Sequence, residues 1–210
     1  MERDQCHCPS GLLQQLAADL SHSKLAFDKT LHIGSELTSH LETIANCNRC
    51  VTAKRKINML SQTTSRLVGF YEAAHLNTHA FWTDERMESP GSRLSSKAGA
   101  TPSAPGPPDR GHRNGSSTIT QTPDYRSVSC AMRLGSLPVV GGEARILGEV
   151  VLVDACLELH ERMQEWKMAM DESMQCLEEQ YDALICHSLD RLAKLIGLLQ
   201  YDGHNGEHWR

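Results

Sequence analysis

Four of the eight cysteines form two short pairs, Cys6-His7-Cys8 and Cys47-Asn48-Arg49-Cys50. Four thiolates can bind zinc in a tetrahedral arrangement, which makes these residues the first candidates for chemistry. Structural zinc sites usually combine two C-x-x-C turns within polar loops, whereas Cys8 and Cys47 each border a predicted apolar helix. We therefore interpret the four thiols as packed apolar groups and assign no metal ligand, with a zinc site as the alternative.

The sequence contains no pattern that indicates a catalytic site. A redox role for Cys47 and Cys50 is disfavoured because no βαβ pattern surrounds them. The sequence contains no G-x-S-x-G, G-x-x-x-x-G-K or H-E-x-x-H motif, and its 11 histidines are scattered. We expect no catalytic residue, no cofactor and no enzymatic activity.

Charge and cysteine usage bear on partners and on compartment. A formal net charge of −5 argues against nucleic-acid binding by the chain as a whole. Residues 1–8 carry acids and no apolar run, so they are no secretory signal, and the cysteines are expected to be reduced thiols. The basic triplet Lys54-Arg55-Lys56 is interpreted as the solvent-facing turn of an amphipathic helix, with nuclear import or phosphate contact as the alternative.

The elements that must position these residues are predicted to be helices. Proline crowds the stretch from Arg86 to Ser127, and large apolar side chains are almost missing there, which predicts a disordered linker over residues 86–137. Residues 1–85 form the N-terminal helical part and residues 138–201 the C-terminal one, followed by a flexible tail at 202–210. Three stripes of apolar residues at helical spacing precede the linker: Leu12, Leu13, Leu16 and Leu20; Ile33, Leu37, Leu41 and Ile44; Ile57, Leu60, Thr64, Leu67, Val68 and Tyr71.

After the linker, apolar residues recur at intervals of three and four from Leu152 to Leu199. This pattern predicts one long helix, or two helices broken near residues 171–179. Between Gly148 and Gln200 the acids outnumber the bases, which we interpret as a solvated face, with a docking surface for a basic partner as the alternative. The stripe from Leu177 to Leu199 also predicts self-association, because no partner for it is obvious elsewhere in the chain.

Together these patterns predict an all-α fold, a helical bundle with a long C-terminal helix, interrupted by the disordered linker. The two helical parts are expected to pack on each other, because three short helices alone offer little apolar surface. The uncharged stretches are too short to cross a bilayer, so we expect a soluble chain without a membrane partner.

The order of several landmarks resembles a known family. These landmarks are Cys6-x-Cys8 before a Leu-rich helix, the segment from Leu41 to Cys50, Leu67-Val-Gly-Phe-Tyr71-Glu-Ala-Ala74, and Gly142-Glu-Ala-Arg-Ile146-Leu-Gly-Glu149 before the last apolar stripe. Over about residues 6–170 the chain is similar to the C-terminal regulatory region of fungal zinc-cluster transcription factors of the aflatoxin regulatory protein family.

This resemblance implies a nuclear transcription regulator, of a fungal secondary-metabolite gene cluster. Members of the family normally begin with a binuclear zinc cluster that reads DNA, and this sequence shows no such group of six closely spaced cysteines. The resemblance therefore carries over no DNA-contacting residue. We expect action through other transcription regulators or a DNA-binding partner, a homodimer as a further option, and no specific DNA binding by this chain alone. The alternative is a coiled-coil scaffold or interaction protein without a transcriptional role.

Overall fold

A computed structural model of the chain describes Cys6, Cys8 and residues 10–84, 125–173 and 179–205. Most of these residues are helical, which confirms the all-α prediction. The helices are α1 (Ser10–Asp19), α2 (Phe27–Ala45), α3 (Lys54–Asp84), α4 (Gly141–Ser173) and α5 (Glu179–Asn205). None of the described helices combines the length and the apolarity that crossing a bilayer requires.

Four strands of three residues each accompany the helices: β1 (Lys24–Ala26), β2 (Arg126–Val128), β3 (Met132–Leu134) and β4 (Leu137–Val139). β1 pairs with β2 in parallel, with Lys24 opposite Arg126. β3 and β4 form an antiparallel hairpin whose turn places Gly135 at a φ of 64°, which glycine adopts without steric cost. The pairing of β2 with β1, together with its packing on α3, therefore attaches the segment before α4 to the helical body.

The disordered linker was predicted to extend to residue 137, but ordered structure begins earlier. Residues 86–124 lie outside the described residues, but residues 125–137 contain β2, β3 and the start of β4. Tyr125 packs on Phe70 of α3 with its ring tilted by 54° and 4.8 Å between the ring centroids. It also lies over Gly69, where a Cβ would clash with the tyrosine ring. Composition missed this boundary because the contacts that hold Tyr125 come from residues far away in the chain.

The helices on both sides of the predicted linker build one core, as expected. α2 packs on α4, and α3 packs on α5. The three N-terminal stripes are buried except for Leu12, which is partly buried. α4 contributes to the same core its own row of buried residues, which are Leu152, Cys156, Leu159, Met163, Trp166 and Met170. The apolar stripes from both sides of the linker thus pack against one another, because each helix has one apolar face to bury.

The last apolar stripe forms two helices, as the second of the two predicted arrangements requires. α4 and α5 pack against each other, and Lys167 Nζ lies 2.8 Å from Asp182 Oδ1 across their contact. Residues 174–178, where the chain passes from one helix to the other, lie outside the described residues. α5 continues to Asn205, so the boundary predicted for the flexible tail at 202 is too early; residues 206–210 lie outside the described residues.

The predicted self-association stripe has its partner within the chain. Ile185, Leu192 and Leu199 of α5 are buried in the common core, which includes residues of α3 and α4. The argument that this stripe lacks an intramolecular partner is therefore wrong, and the homodimer stays a prediction without that support.

Candidate metal centre

The turn between α2 and α3 positions Cys47 and Cys50. α2 ends at Ala45, and the N–H of Cys47 still donates to the carbonyl of Ile44 at 3.0 Å. The carbonyl of Cys47 then accepts hydrogen bonds from the N–H groups of Cys50 at 2.9 Å and of Val51 at 3.0 Å. This tight turn brings the two thiols to one side of the chain, and the buried side chain of Val51 anchors it in the core.

The segment before α1 brings the other two thiols to the same place. Cys6 Sγ lies 2.9 Å from Cys50 Sγ and 3.7 Å from Cys47 Sγ. Cys8 Sγ lies 4.0 Å from the carbonyl oxygen of Thr43, in the last turns of α2. All four sulfur atoms lie within 4.8 Å of one another. Two cysteine pairs about forty positions apart in sequence thus form one cluster, which we call the thiol cluster.

The separations between the sulfur atoms, from 2.9 Å for Cys6 and Cys50 to at most 4.8 Å, lie on both sides of the separation in a metal site. Zinc–sulfur bonds of about 2.3 Å in a tetrahedron place the sulfur atoms about 3.8 Å from each other. A disulfide needs about 2.0 Å, and Cys6, Cys8, Cys47 and Cys50 are all free thiols. The cluster can therefore hold a single ion that prefers four sulfur ligands.

Hydrogen bonds to Cys47 and Cys50 favour the thiolate form of these two residues. Backbone N–H groups of Cys50 and Arg49 reach the thiol of Cys47 and lower its pKa to about 6. The ammonium group of Lys56, in the first turn of α3, donates to Cys50 Sγ at 2.9 Å, and this hydrogen bond raises the pKa of the lysine. Burial, which disfavours a thiolate, raises the pKa of Cys8 to about 12. Four thiolates at this distance need more positive charge than Lys56 alone supplies.

The interpretation of the four thiols as packed apolar groups fits Cys50, which is buried, and in part Cys8 and Cys47, which pack against the core. Cys6 is exposed, and Cys8 and Cys47 are half-buried. Cys8 lies next to the start of α1 and Cys47 next to the end of α2, as predicted, and the assignment without a metal ligand stays a prediction. The C-x-C and C-x-x-C spacings were the available signal, but nothing in the sequence shows that the two pairs meet.

The basic triplet divides between solvent and the thiol cluster. Lys54 and Arg55 are exposed, as the interpretation of a solvent-facing turn requires. Lys56 is half-buried and points its ammonium group at Cys50, which the interpretation did not foresee. A two-residue cationic surface remains at the start of α3.

A separate cavity of about 390 Å³ lies where the β3–β4 hairpin meets α3 and the start of α4. Its lining is mainly apolar and includes Met132, Val139 and Ala144, with Arg145 and Asn77 among the polar residues. Asn77 fixes one wall, because its side-chain amide donates to the carbonyl of Ser127. None of the residues singled out from the sequence as candidates for chemistry lines this cavity.

No family model, curated protein or solved structure matches this chain. The resemblance to the aflatoxin regulatory protein family therefore rests on the order of its landmarks and stays a prediction. The features that bear on function are accordingly the fold, the thiol cluster and the exposed surface.

Proposed function

We propose that this chain is the helical regulatory module of a nuclear transcription regulator and controls a fungal secondary-metabolite gene cluster through protein contacts. The order of the family-like landmarks carries the proposal. Its physical support is that the segments containing them, from Cys6 to Cys50, from Leu67 to Ala74 and from Gly142 to Glu149, belong to one helical unit. Such a unit suits a regulatory role that depends on binding and not on catalysis.

The exposed surface favours a protein partner. Large apolar side chains are more than half exposed along the β3–β4 hairpin and the first turns of α4: Leu134, Leu137, Val140, Ile146 and Val150. Neighbouring exposed apolar residues often mark interaction sites. α4 also presents the exposed acids Asp154, Glu158 and Glu161, which agrees with a solvated face and leaves the alternative of a basic partner open.

Specific DNA binding by the isolated chain is not part of the proposal. Sequence readout needs side chains that enter a groove and enough cationic surface to hold phosphates. Lys56 is directed at the thiol cluster, and all four bases of the acidic region pair with carboxylates: Arg162, Lys167, Arg191 and Lys194. We expect residual DNA binding to be weak, independent of sequence and lost steeply with salt.

The fold removes the main argument for the alternative function, a coiled-coil scaffold protein. It relied on a coiled-coil stripe free to dimerise, and that stripe is buried against α3 and α4. A regulator that binds other proteins through the exposed surface of residues 134–150 needs no such stripe.

The proposal is tested in the organism that encodes the chain. A tagged copy should concentrate in the nucleus, co-purify with a DNA-binding regulator and occupy promoters in a manner that depends on that regulator. Deleting the gene should change transcripts of one biosynthetic cluster. Normal transcripts after deletion, together with a cytoplasmic location of the tagged chain, would contradict the proposal. The double variant Ile146→Glu/Val150→Glu should lose the co-purified regulator, while Ala193→Glu, on an exposed position of α5, serves as the matched control.

A further inference from the structure

We propose that Cys6, Cys8, Cys47 and Cys50 bind one structural zinc ion, which fastens the segment before α1 to the turn between α2 and α3. Two sequence-distant thiol pairs converge until every sulfur atom lies within 4.8 Å of the others. The distance of 3.7 Å between Cys6 Sγ and Cys47 Sγ is close to the edge of about 3.8 Å in a tetrahedral zinc–sulfur site.

The donor set selects the ion. Four sulfur atoms suit a soft or borderline metal, whereas magnesium and calcium prefer oxygen ligands. The compact cluster leaves room for a single ion and not for a group of iron and sulfide ions, which requires more widely spaced thiolates. Because four protein ligands complete the tetrahedron, no position stays open for water or substrate, and the role is structural.

The surroundings of the thiol cluster balance the charge of such a site. Binding of Zn²⁺ to four thiols releases four protons and leaves a complex with a net charge of −2. The ammonium group of Lys56, 2.9 Å from Cys50 Sγ, compensates one of these charges. The N–H groups of Cys50 and Val51 donate to the carbonyl of Cys47, which fixes the turn that carries both thiols.

The proposed ion has a clear structural task. α1 contains ten residues and packs on α2 and α3. Its buried residues Leu13 and Leu16, with Leu20 just after its end, offer little apolar surface to hold it there. A metal bound by Cys6 and Cys8 on one side and by Cys47 and Cys50 on the other closes a loop around α1 and α2. Since such a site is not formed in the unfolded chain, the free energy of metal binding becomes free energy of folding.

The first test measures metal in the full chain, produced with zinc available and purified under reducing conditions. Elemental analysis should find one zinc ion per chain, and a strong chelator should lower the midpoint of thermal unfolding. The double variant Cys47→Ser/Cys50→Ser should lose the zinc. The matched control Cys130→Ser/Cys186→Ser also removes two thiols, which lie outside the cluster, and should keep it.

The second test does not depend on a folded variant. Cobalt(II) added to the metal-free wild-type chain should give the visible absorption of a tetrahedral ion and the near-ultraviolet bands of cobalt–thiolate bonds, and one equivalent of zinc should remove both. A wild-type chain that is helical by circular dichroism yet contains no zinc and gives no such cobalt spectrum would overturn the proposal. Iron in place of zinc, or zinc retained by the double cluster variant, would overturn it as well.

Discussion

The guanidinium group of Arg191 on α5 donates two hydrogen bonds to the carboxylate of Glu72 on α3, from Nε at 2.9 Å and from Nη2 at 2.5 Å. The same guanidinium reaches the carbonyl of Ser65 at 3.4 Å. The pair is partly shielded from solvent, and the hydrogen bond to Glu72 raises the pKa of Arg191. It therefore joins the two helical parts on either side of the predicted linker by a contact with defined geometry.

We expect Glu72→Ala to lower the free energy of unfolding by about 1–2 kcal/mol, because the change leaves a half-buried guanidinium without its carboxylate. Chemical denaturation of the full chain measures the effect. Asp190→Ala is the matched control, since it breaks the exposed pair with Lys194 on the same helix and should cost less than about 0.5 kcal/mol. Equal losses in the two variants would show that the contact between α3 and α5 does not depend on this pair.

A second prediction concerns the close approach of α2 and α3 at Gly34. A Cβ at this position would lie 2.0 Å from the hydroxyl oxygen of Tyr71, which is fully buried. Gly34→Ala should therefore destabilise the chain by about 1–3 kcal/mol, although alanine favours a helix. Gly197→Ala on α5, where nothing lies within 4 Å, should instead stabilise by about 0.5–1 kcal/mol.

The Tyr71 hydroxyl supplies a check on that explanation. Within the described part of the chain this buried oxygen has no hydrogen-bond partner, so Tyr71→Phe should cost little or stabilise. The double variant Gly34→Ala/Tyr71→Phe should recover most of the loss, because the nearest remaining ring atom would lie 3.2 Å from the new Cβ. Additive effects in this double-mutant cycle would contradict the proposed clash.

The helices could be predicted from the sequence because the residues that stabilise them recur at helical spacing within each segment. Ile33, Leu37 and Leu41 recur at helical spacing and are indeed buried. The pairing of Tyr125 with Phe70 and the meeting of Cys6 with Cys50 depend on where distant segments lie after packing, and no local pattern encodes that. For the same reason the apolar stripe of α5 predicts self-association, although the residues that cover it belong to α3 and α4.

A third prediction is a loss of stability in mild acid that depends on His40. This residue is buried on α2, and burial, followed by the charge of Lys56, lowers its pKa. An unfolded histidine titrates near about 6.5, so below that pH the unfolded chain binds a proton that the folded chain excludes. Stability should fall as the pH decreases from 7 to 5, with a contribution from His40 that approaches about 1.4 kcal/mol per pH unit.

Denaturant unfolding at several pH values and at one metal loading measures this slope. His40→Leu should flatten the curve relative to the wild-type chain, and His187→Leu, which removes an exposed histidine of α5, is the matched control. A slope that is unchanged in His40→Leu would assign the acid sensitivity to other groups.

The last prediction rests on the proposed zinc site and concerns Lys56. Its ammonium group donates to Cys50 Sγ at 2.9 Å. Lys56→Gln removes the positive charge that offsets the thiolates and should weaken zinc affinity by about 10–100-fold, the range typical of groups that support metal ligands. Competition with a chromophoric chelator measures the affinity, and Arg55→Gln, at an exposed neighbouring position, should leave it near the wild-type value. The cobalt spectrum of Lys56→Gln should stay tetrahedral, because all four sulfur ligands are still present. A changed spectrum would mean that Lys56 maintains the geometry of the turn, and unchanged zinc affinity would show that its charge does not support the site.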